Sequence, residues 1–101
     1  QHNTEVPGLV HLYTQFASEA SEPDHPAHQY FRERSESFKS TLAGAIRAQQ
    51  DNGTLAGSID ADRVATLLMS ASDGLQVQWL LDPSVDMISH ISLLWASLTR
   101  P

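Results

Sequence analysis

The most apolar helical segment of the chain ends with the sequence Asp73-Gly74-Leu75-Gln76-Val77-Gln78-Trp79-Leu80-Leu81-Asp82-Pro83. Between Arg63 and Asp82 the only charged residue is Asp73, so the segment is apolar around most of its circumference. A helix with so little charge must be covered by neighbours on most sides when the protein is small. Asp82-Pro83 then ends it, because the residue before a proline is forced away from the helical conformation. The stretch therefore predicts the central helix of an all-α antiparallel bundle.

This central segment is predicted to begin at Asp60, whose side chain caps it, and to extend to Leu81. Its core face is expected to hold the apolar residues that recur at helical spacing, namely Val64, Leu67, Leu68, Ala71, Leu75 and Trp79. Ser70 and Gly74 lie one turn apart, where small side chains allow a neighbouring helix to come close. Asp73 falls beside Thr66 on the narrow polar edge.

Two helical segments precede the central one. The first is predicted over about Val6–Ala20 and the second over about Pro26–Asn52, with Asp24 or His25 as its cap and Gly53 after its end. The buried stripe of the second segment is expected to comprise Phe31, Phe38, Leu42, Ala45, Ile46 and Gln49.

The loop before the central segment and the helix after it complete the predicted bundle. Residues 54–59 are expected to place Leu55 and Ile59 under the bundle. The last segment, Val85–Leu98, is expected to be capped by Ser84 and to pack antiparallel on the central one, since the connection is short. Its apolar stripe is Met87, Ile88, Ile91, Leu94, Trp95 and Leu98.

Composition limits the possible functions. A chain of 101 residues with 41% hydrophobic residues is expected to fold as one domain. Cysteine is absent, which excludes disulfides and thiol chemistry, and no apolar run approaches the length of a membrane span. The net charge of −6 argues against direct DNA binding, because DNA-binding surfaces are densely cationic.

Three motifs occur in order along the chain: Glu19-Ala20-Ser21-Glu22-Pro23-Asp24-His25-Pro26-Ala27-His28-Gln29-Tyr30-Phe31, then Asn52-Gly53-Thr54-Leu55, and then the stretch from Asp73 to Pro83. Together they resemble the C-terminal regulatory domain of TetR-family transcriptional regulators, over nearly the whole chain. The resemblance implies that residues 1–101 form an effector-binding and dimerisation domain. It also implies a separate N-terminal helix-turn-helix domain that contacts operator DNA. The start at Gln1 rather than Met fits a fragment that lacks this domain.

The resemblance further implies a small-molecule pocket between the first three segments. The candidate lining residues are Leu12, Tyr13, Phe16, Phe31, Phe38, Met69, Asp73 and Gln76. From the residues alone, aromatic and methionine side chains at helical spacing fit simple core packing equally well. Asp73 could anchor a polar effector group, or it could lie on the solvent edge with Thr66 and Ser70.

The resemblance also implies that the last two segments form a four-helix bundle with the same segments of a second subunit. The expected interface residues are Ser70, Gly74, Gln78, Leu81, Met87, Ile88, Ile91, Leu94, Trp95 and Leu98. The residues themselves support this, because Trp95 and Leu98 are expected to stay exposed in a single chain. A symmetric two-fold contact is the commonest way to cover such residues.

The other functional classes have weaker support. His25 and His28 could be two ligands of a metal site, but a usable site needs three or four, so both are expected to be incidental or packing residues. His90 is expected at the edge of the dimer interface. No catalytic motif is present, so neither an enzyme nor a cofactor is expected.

The sequence therefore predicts a cytoplasmic transcriptional regulator domain, in a repressor released from DNA by a small, largely apolar effector. Its expected partners are a second copy of itself, the effector, and operator DNA through the N-terminal domain. The alternative is a helical dimerisation module without a small-molecule pocket.

Overall fold

The computed structural model describes residue 12, residue 15 and residues 17–100. These residues form three long helices, α1 (His28–Asp51), α2 (Ala61–Leu81) and α3 (Met87–Leu98), and contain no strand. Residues 12, 15 and 17–19 are also helical, and the rest of the predicted first segment lies outside the described residues. The all-α prediction is confirmed.

The start of α1 differs from the prediction. The helix begins at His28 rather than near Pro26, and its N-cap is Ala27, which supplies no capping side chain. The predicted cap His25 instead accepts a hydrogen bond at Nδ1 from the Ala27 backbone N–H (3.0 Å). Backbone bonds from His25 N–H to the Glu22 carbonyl (2.9 Å) and from His28 N–H to the His25 carbonyl (3.0 Å) form turns ahead of the helix. These turns delay the first helical residue.

The end of α1 is as predicted. The helix stops at Asp51, and Gly53 has a φ of +84°, a conformation that a residue without a Cβ adopts at little cost. Gln50 then fixes the following loop, since its Nε2 donates to the carbonyls of Ala56 (2.9 Å) and Ile59 (2.8 Å). Leu55 and Ile59 pack against the core, which confirms the predicted role of this loop.

Local capping signals also set the ends of α2. The Asp60 side chain accepts a hydrogen bond from the Arg63 N–H at 3.1 Å, and the helix ends at Leu81 with Asp82 in an extended conformation. Both boundaries are therefore confirmed.

The predicted start of α3 at Val85, with Ser84 as cap, is wrong. Asp86 caps the helix by accepting from the Ser89 N–H at 3.1 Å, and the first helical residue is Met87. Ser84 is held by the preceding turn, where its N–H (3.1 Å) and its hydroxyl (2.7 Å) both donate to Asp82 Oδ1. Its side chain is thus committed to the turn and does not cap the helix.

Helix α2 is central in the order of packing, because it contacts both α1 and α3. The core cluster consists of Ala43, Ile46, Ala61, Val64, Ala65 and Leu68, with Leu42, Leu94, Trp95 and Leu98 packed against it. The expectation that Trp95 and Leu98 stay exposed in a single chain is wrong, since the core of the same chain covers part of each.

Two predicted core stripes need correction. Phe38 and Ala45 are exposed, and the side of α1 that is buried runs through Ala43 and Ile46. On α2, Leu67 is 47% exposed, although Val64 and Leu68 on the predicted face are buried. Helical spacing identifies sets of residues that share a face, but the packing of the neighbouring helices decides which edge of that face is covered.

One side of α2 carries residues that are exposed in the single chain. Five residues at alternating spacings of three and four are exposed on it: Leu67, Ser70, Gly74, Val77 and Leu81. We call this set the outer face of α2. Leu81 is 76% exposed, and on α3 Ile88 is 79% exposed. The central helix is therefore covered on fewer sides than its composition predicts.

Candidate functional site

Two adjoining clefts lie beside the packed α1–α2 pair. The larger, of about 520 Å³, is lined by Arg34, Ser37, Phe38 and Thr41 of α1 and by Met69, Ser72, Asp73 and Gln76 of α2. The smaller, of about 250 Å³, is lined by Ala17, Ala20, Ser21, His28, Phe31, Arg32, Arg34, Ser35, Met69 and Asp73. Arg34, Met69 and Asp73 line both clefts, so these residues form the shared wall between them.

Helical spacing explains why these residues meet. Each helix contributes residues to the larger cleft at intervals of three, four and seven, which places them on one face. The buried contact between the helices involves Ala43 and Ile46 of α1 and the first two turns of α2. Ser35 and Met69 touch further along, where the Ser35 hydroxyl lies 3.7 Å from the Met69 sulfur. Polar and large side chains replace the alanines there, and space remains between the helices.

The structure brings five of the eight predicted pocket residues to these clefts. Phe31, Met69 and Asp73 line the smaller cleft, and Phe38, Met69, Asp73 and Gln76 line the larger. Leu12 is 62% exposed and lines neither cleft. The other two predicted residues, Tyr13 and Phe16, lie outside the described residues. The binding role of all eight stays a prediction.

The sequence reasoning missed the polar residues that α1 contributes. Arg34 lines both clefts, and Ser37 and Thr41 line the larger one. The available signal was their spacing around Phe38, which puts positions 34, 37, 38 and 41 on one helical face. Of the eight described residues that line the larger cleft, Phe38 and Met69 are apolar and the other six are polar or charged.

Asp73 combines features of both readings that the sequence left open. It is exposed and lies near the exposed residues Thr66 and Ser70, yet it also lines both clefts. Partial burial against the cleft walls raises the pKa of its carboxyl group above the usual value. Among the described residues, none forms a hydrogen bond or ion pair with it, and the hydroxyls of Thr66 and Ser70 donate to backbone carbonyls instead. Asp73 is thus a carboxylate that no other described residue of the chain engages.

The predicted interface residues fall into two groups. Five are exposed: Ser70, Gly74, Gln78, Leu81 and Ile88. The others are half-buried, and Leu94, Trp95 and Leu98 among them pack on the core of their own chain. Leu67 and Val77 extend the exposed group and were not predicted to belong to it. Around Gly74 the surface is open, since a Cβ added there would meet no atom within 4 Å.

His28 and His90 have local structural roles. His28 Nδ1 lies 2.9 Å from the Ala20 carbonyl and His90 Nδ1 lies 2.7 Å from the Asp86 carbonyl, so each ring is tied to a backbone group. Within the described part of the chain, no three His, Cys, Asp or Glu side chains are grouped so that they could hold a metal ion.

Two ion pairs among the described residues involve α1 and α2. Lys39 and Glu36 are 3.4 Å apart, and Arg47 and Asp62 are 2.7 Å apart. Such exposed pairs contribute little to stability. Among the described helices, none is both long enough and apolar enough to span a membrane.

A comparison of the sequence with known protein families identifies one match. The family model for the C-terminal region of BetI-type transcriptional repressors, a TetR-type domain, matches residues 4–91. No curated protein and no solved structure matches the chain. The matched range includes the residues of both clefts and the whole of α2.

Proposed function

Because the chain belongs to the C-terminal domains of BetI-type transcriptional repressors of the TetR family, we propose that it senses a small molecule and joins two subunits of such a repressor. This family is one of transcriptional regulators and not of enzymes. The observation that carries the proposal is the arrangement of α2. Met69, Asp73 and Gln76 line the clefts, while Ser70, Gly74 and Val77, the next residue in each case, lie on the outer face.

The larger cleft supports the sensing role. Its volume of about 520 Å³ lies within the range of sites for small organic ligands. Phe38 and Met69 offer apolar surface, and Ser37, Thr41 and Gln76 offer hydrogen-bonding groups. This mixture favours an effector that combines an apolar body with polar groups, rather than the largely apolar effector predicted from the sequence.

The outer face of α2 and the exposed Ile88 of α3 support the dimer. Leu81 and Ile88 each leave more than three quarters of their surface exposed in the single chain. Burying an exposed Leu or Ile side chain is worth about 1.5–3 kcal/mol. In a symmetric dimer each residue contributes twice, so these two positions alone supply several kcal/mol to association.

The shared helix gives a mechanism. An effector that binds one arrangement of α1 and α2 more tightly than another shifts the population toward it. Since the outer face belongs to the same helix as the cleft wall, a shift of α2 changes how two subunits pack. The change would reach operator DNA through N-terminal DNA-binding domains, as the family resemblance implies.

Two substitutions at exposed apolar residues test both roles. Leu81→Asp introduces a charge on the outer face and is expected to produce monomers in analytical ultracentrifugation. Phe38→Asp changes the larger cleft and is expected to leave the protein dimeric. Small molecules that raise the melting temperature of the unmodified protein in a screen should no longer stabilise this variant. Because both side chains are exposed, at 76% and 54%, circular dichroism should show a folded helical protein in each case.

Each substitution serves as the control for the other. A dimer that survives Leu81→Asp would contradict the interface. A dimeric protein that yields no hit in the screen would instead support the alternative, a helical dimerisation module without a small-molecule pocket.

A further inference from the structure

The wall shared by the two clefts contains a carboxylate without a partner. Asp73 lines both clefts and forms no hydrogen bond or ion pair with another described residue. Arg34, the cation on the same wall, already has an interaction within the protein. A partly desolvated carboxylate without a counter-ion gains more from a cationic partner than one in open water does, because water screens the attraction less.

The carboxylate pKa agrees with this environment. Partial burial raises the pKa of the Asp73 carboxyl group, and no neighbouring cation lowers it. In its ionised form this carboxyl group accepts hydrogen bonds and does not donate them.

The other groups of the larger cleft define what kind of cation fits. Ser37, Thr41, Ser72 and Gln76 each provide an oxygen that can accept a hydrogen bond. Phe38 is the only aromatic residue among the described lining residues of this cleft. Quaternary ammonium groups have no N–H to donate and are recognised by cages of several aromatic faces. The described residues of the larger cleft therefore favour a cation with N–H groups over a cation that binds only by contact with aromatic rings.

We propose that the effector is a protonated primary or secondary amine with an apolar body, whose ammonium group binds Asp73 and whose body contacts Phe38 and Met69. This inference rests on the sensing role proposed above and specifies the chemical class of its ligand. The ammonium group donates N–H bonds to the Asp73 carboxylate and to neighbouring oxygens of the cleft. The geometry of the cleft places Phe38 on α1 and Met69 on α2, so the apolar body lies between the two helices.

The test compares three probes of similar shape on the full chain by isothermal titration calorimetry. The probes are 4-phenylbutylamine, its trimethylammonium analogue and the neutral 4-phenylbutanol. We expect the amine to bind about tenfold or more tightly than the other two, since a hydrogen bond to a charged group is worth about that much or more. Asp73→Asn should remove most of this preference and leave the affinity for the alcohol unchanged.

A matched control separates local binding from net charge. Asp62→Asn on the same helix removes the same charge from an exposed carboxylate that pairs with Arg47 outside both clefts. It should leave the preference for the amine intact. Equal affinities for amine and alcohol, tighter binding of the trimethylammonium analogue, or an Asp73→Asn variant with an unchanged preference would each overturn the amine proposal.

These results are distinguishable from failure of the sensing role. If the alcohol binds, and Phe38→Asp abolishes its binding, the cleft is a ligand site and only the amine class is wrong. If no probe binds and the broader screen yields no ligand, both proposals are wrong.

Discussion

Filling the open surface at Gly74 is the sharpest test of where two subunits meet. Gly74 lies in the middle of the outer face of α2, and a Cβ added there would meet no atom within 4 Å. Gly44 of α1 is equally open and also helical, but it is not on the proposed interface. The same substitution, Gly→Leu, therefore has the same effect on the single chain at both positions and different effects on the dimer.

The magnitudes follow from helix propensity and from packing. Leucine replaces glycine in an exposed helix with a gain of about 0.8 kcal/mol, so both variants should have a more stable helix. At the interface, a large side chain that blocks close approach costs about 1–3 kcal/mol per site. A two-fold axis places Gly74→Leu in the contact twice, so the dimer loses about 2–6 kcal/mol. This corresponds to a dissociation constant that rises by about 30-fold or more.

Sedimentation velocity over a concentration series measures the dissociation constants of the unmodified protein and of both variants. We expect Gly74→Leu to shift the monomer–dimer equilibrium toward monomers and Gly44→Leu to leave it unchanged. Urea unfolding of the monomeric samples should show that neither variant is destabilised. A Gly74→Leu protein that dimerises as tightly as the unmodified chain would refute the placement of close helix contact on this face.

Two further predictions concern stability. Ile46→Ala should lower the free energy of unfolding by about 2–5 kcal/mol, because Ala43, Ala61 and Ala65 of the same cluster have no rotamers with which to fill the cavity. Chemical denaturation measures this loss. A loss smaller than about 2 kcal/mol would contradict the assignment of Ile46 to the centre of the core. Asp73→Asn should stabilise the protein at neutral pH, because the pKa of the Asp73 carboxyl group is raised in the folded state. Above the folded-state pKa the ionised carboxylate lowers the free energy of unfolding, and this destabilisation disappears as the pH falls below the pKa of the unfolded chain. Thermal unfolding from pH 7 down to pH 3 should therefore show a difference between variant and unmodified protein that shrinks as pH falls, and a difference that grows would contradict the direction of the pKa displacement.

Short-range signals in the sequence predicted most helix boundaries. Asp60 caps α2, Gly53 follows the end of α1, and Asp82-Pro83 ends α2, all through contacts within a few residues. The errors arose where two local arrangements competed for the same groups. Ser84 bonds Asp82 and leaves Asp86 to cap α3, and the turns around His25 delay the start of α1.

The site was less predictable than the helices. Periodicity placed Met69, Asp73 and Gln76 on one side of α2, and these residues do line the larger cleft. It could not show that Arg34 and Thr41 face them from α1, because that depends on the distance and rotation between two helices. From the sequence alone, a charged residue on a helix is predicted to face solvent. Only the position of a neighbouring helix shows that it lines a cleft.

By itself, the sequence determined the class of the fold, the order of the helices, most of their ends and, through its motifs, the family. The stretch from Asp73 to Pro83 is central to all of these, because capping, helix breaking and apolar spacing act over a few residues. Only the tertiary structure decided which sides of α2 are covered. Packing against α1 and α3 leaves Gly74 and Leu81 exposed and gives Asp73 a cleft wall on each side. Burial is a property of how helices are arranged in space, and one helical pattern is compatible with several arrangements.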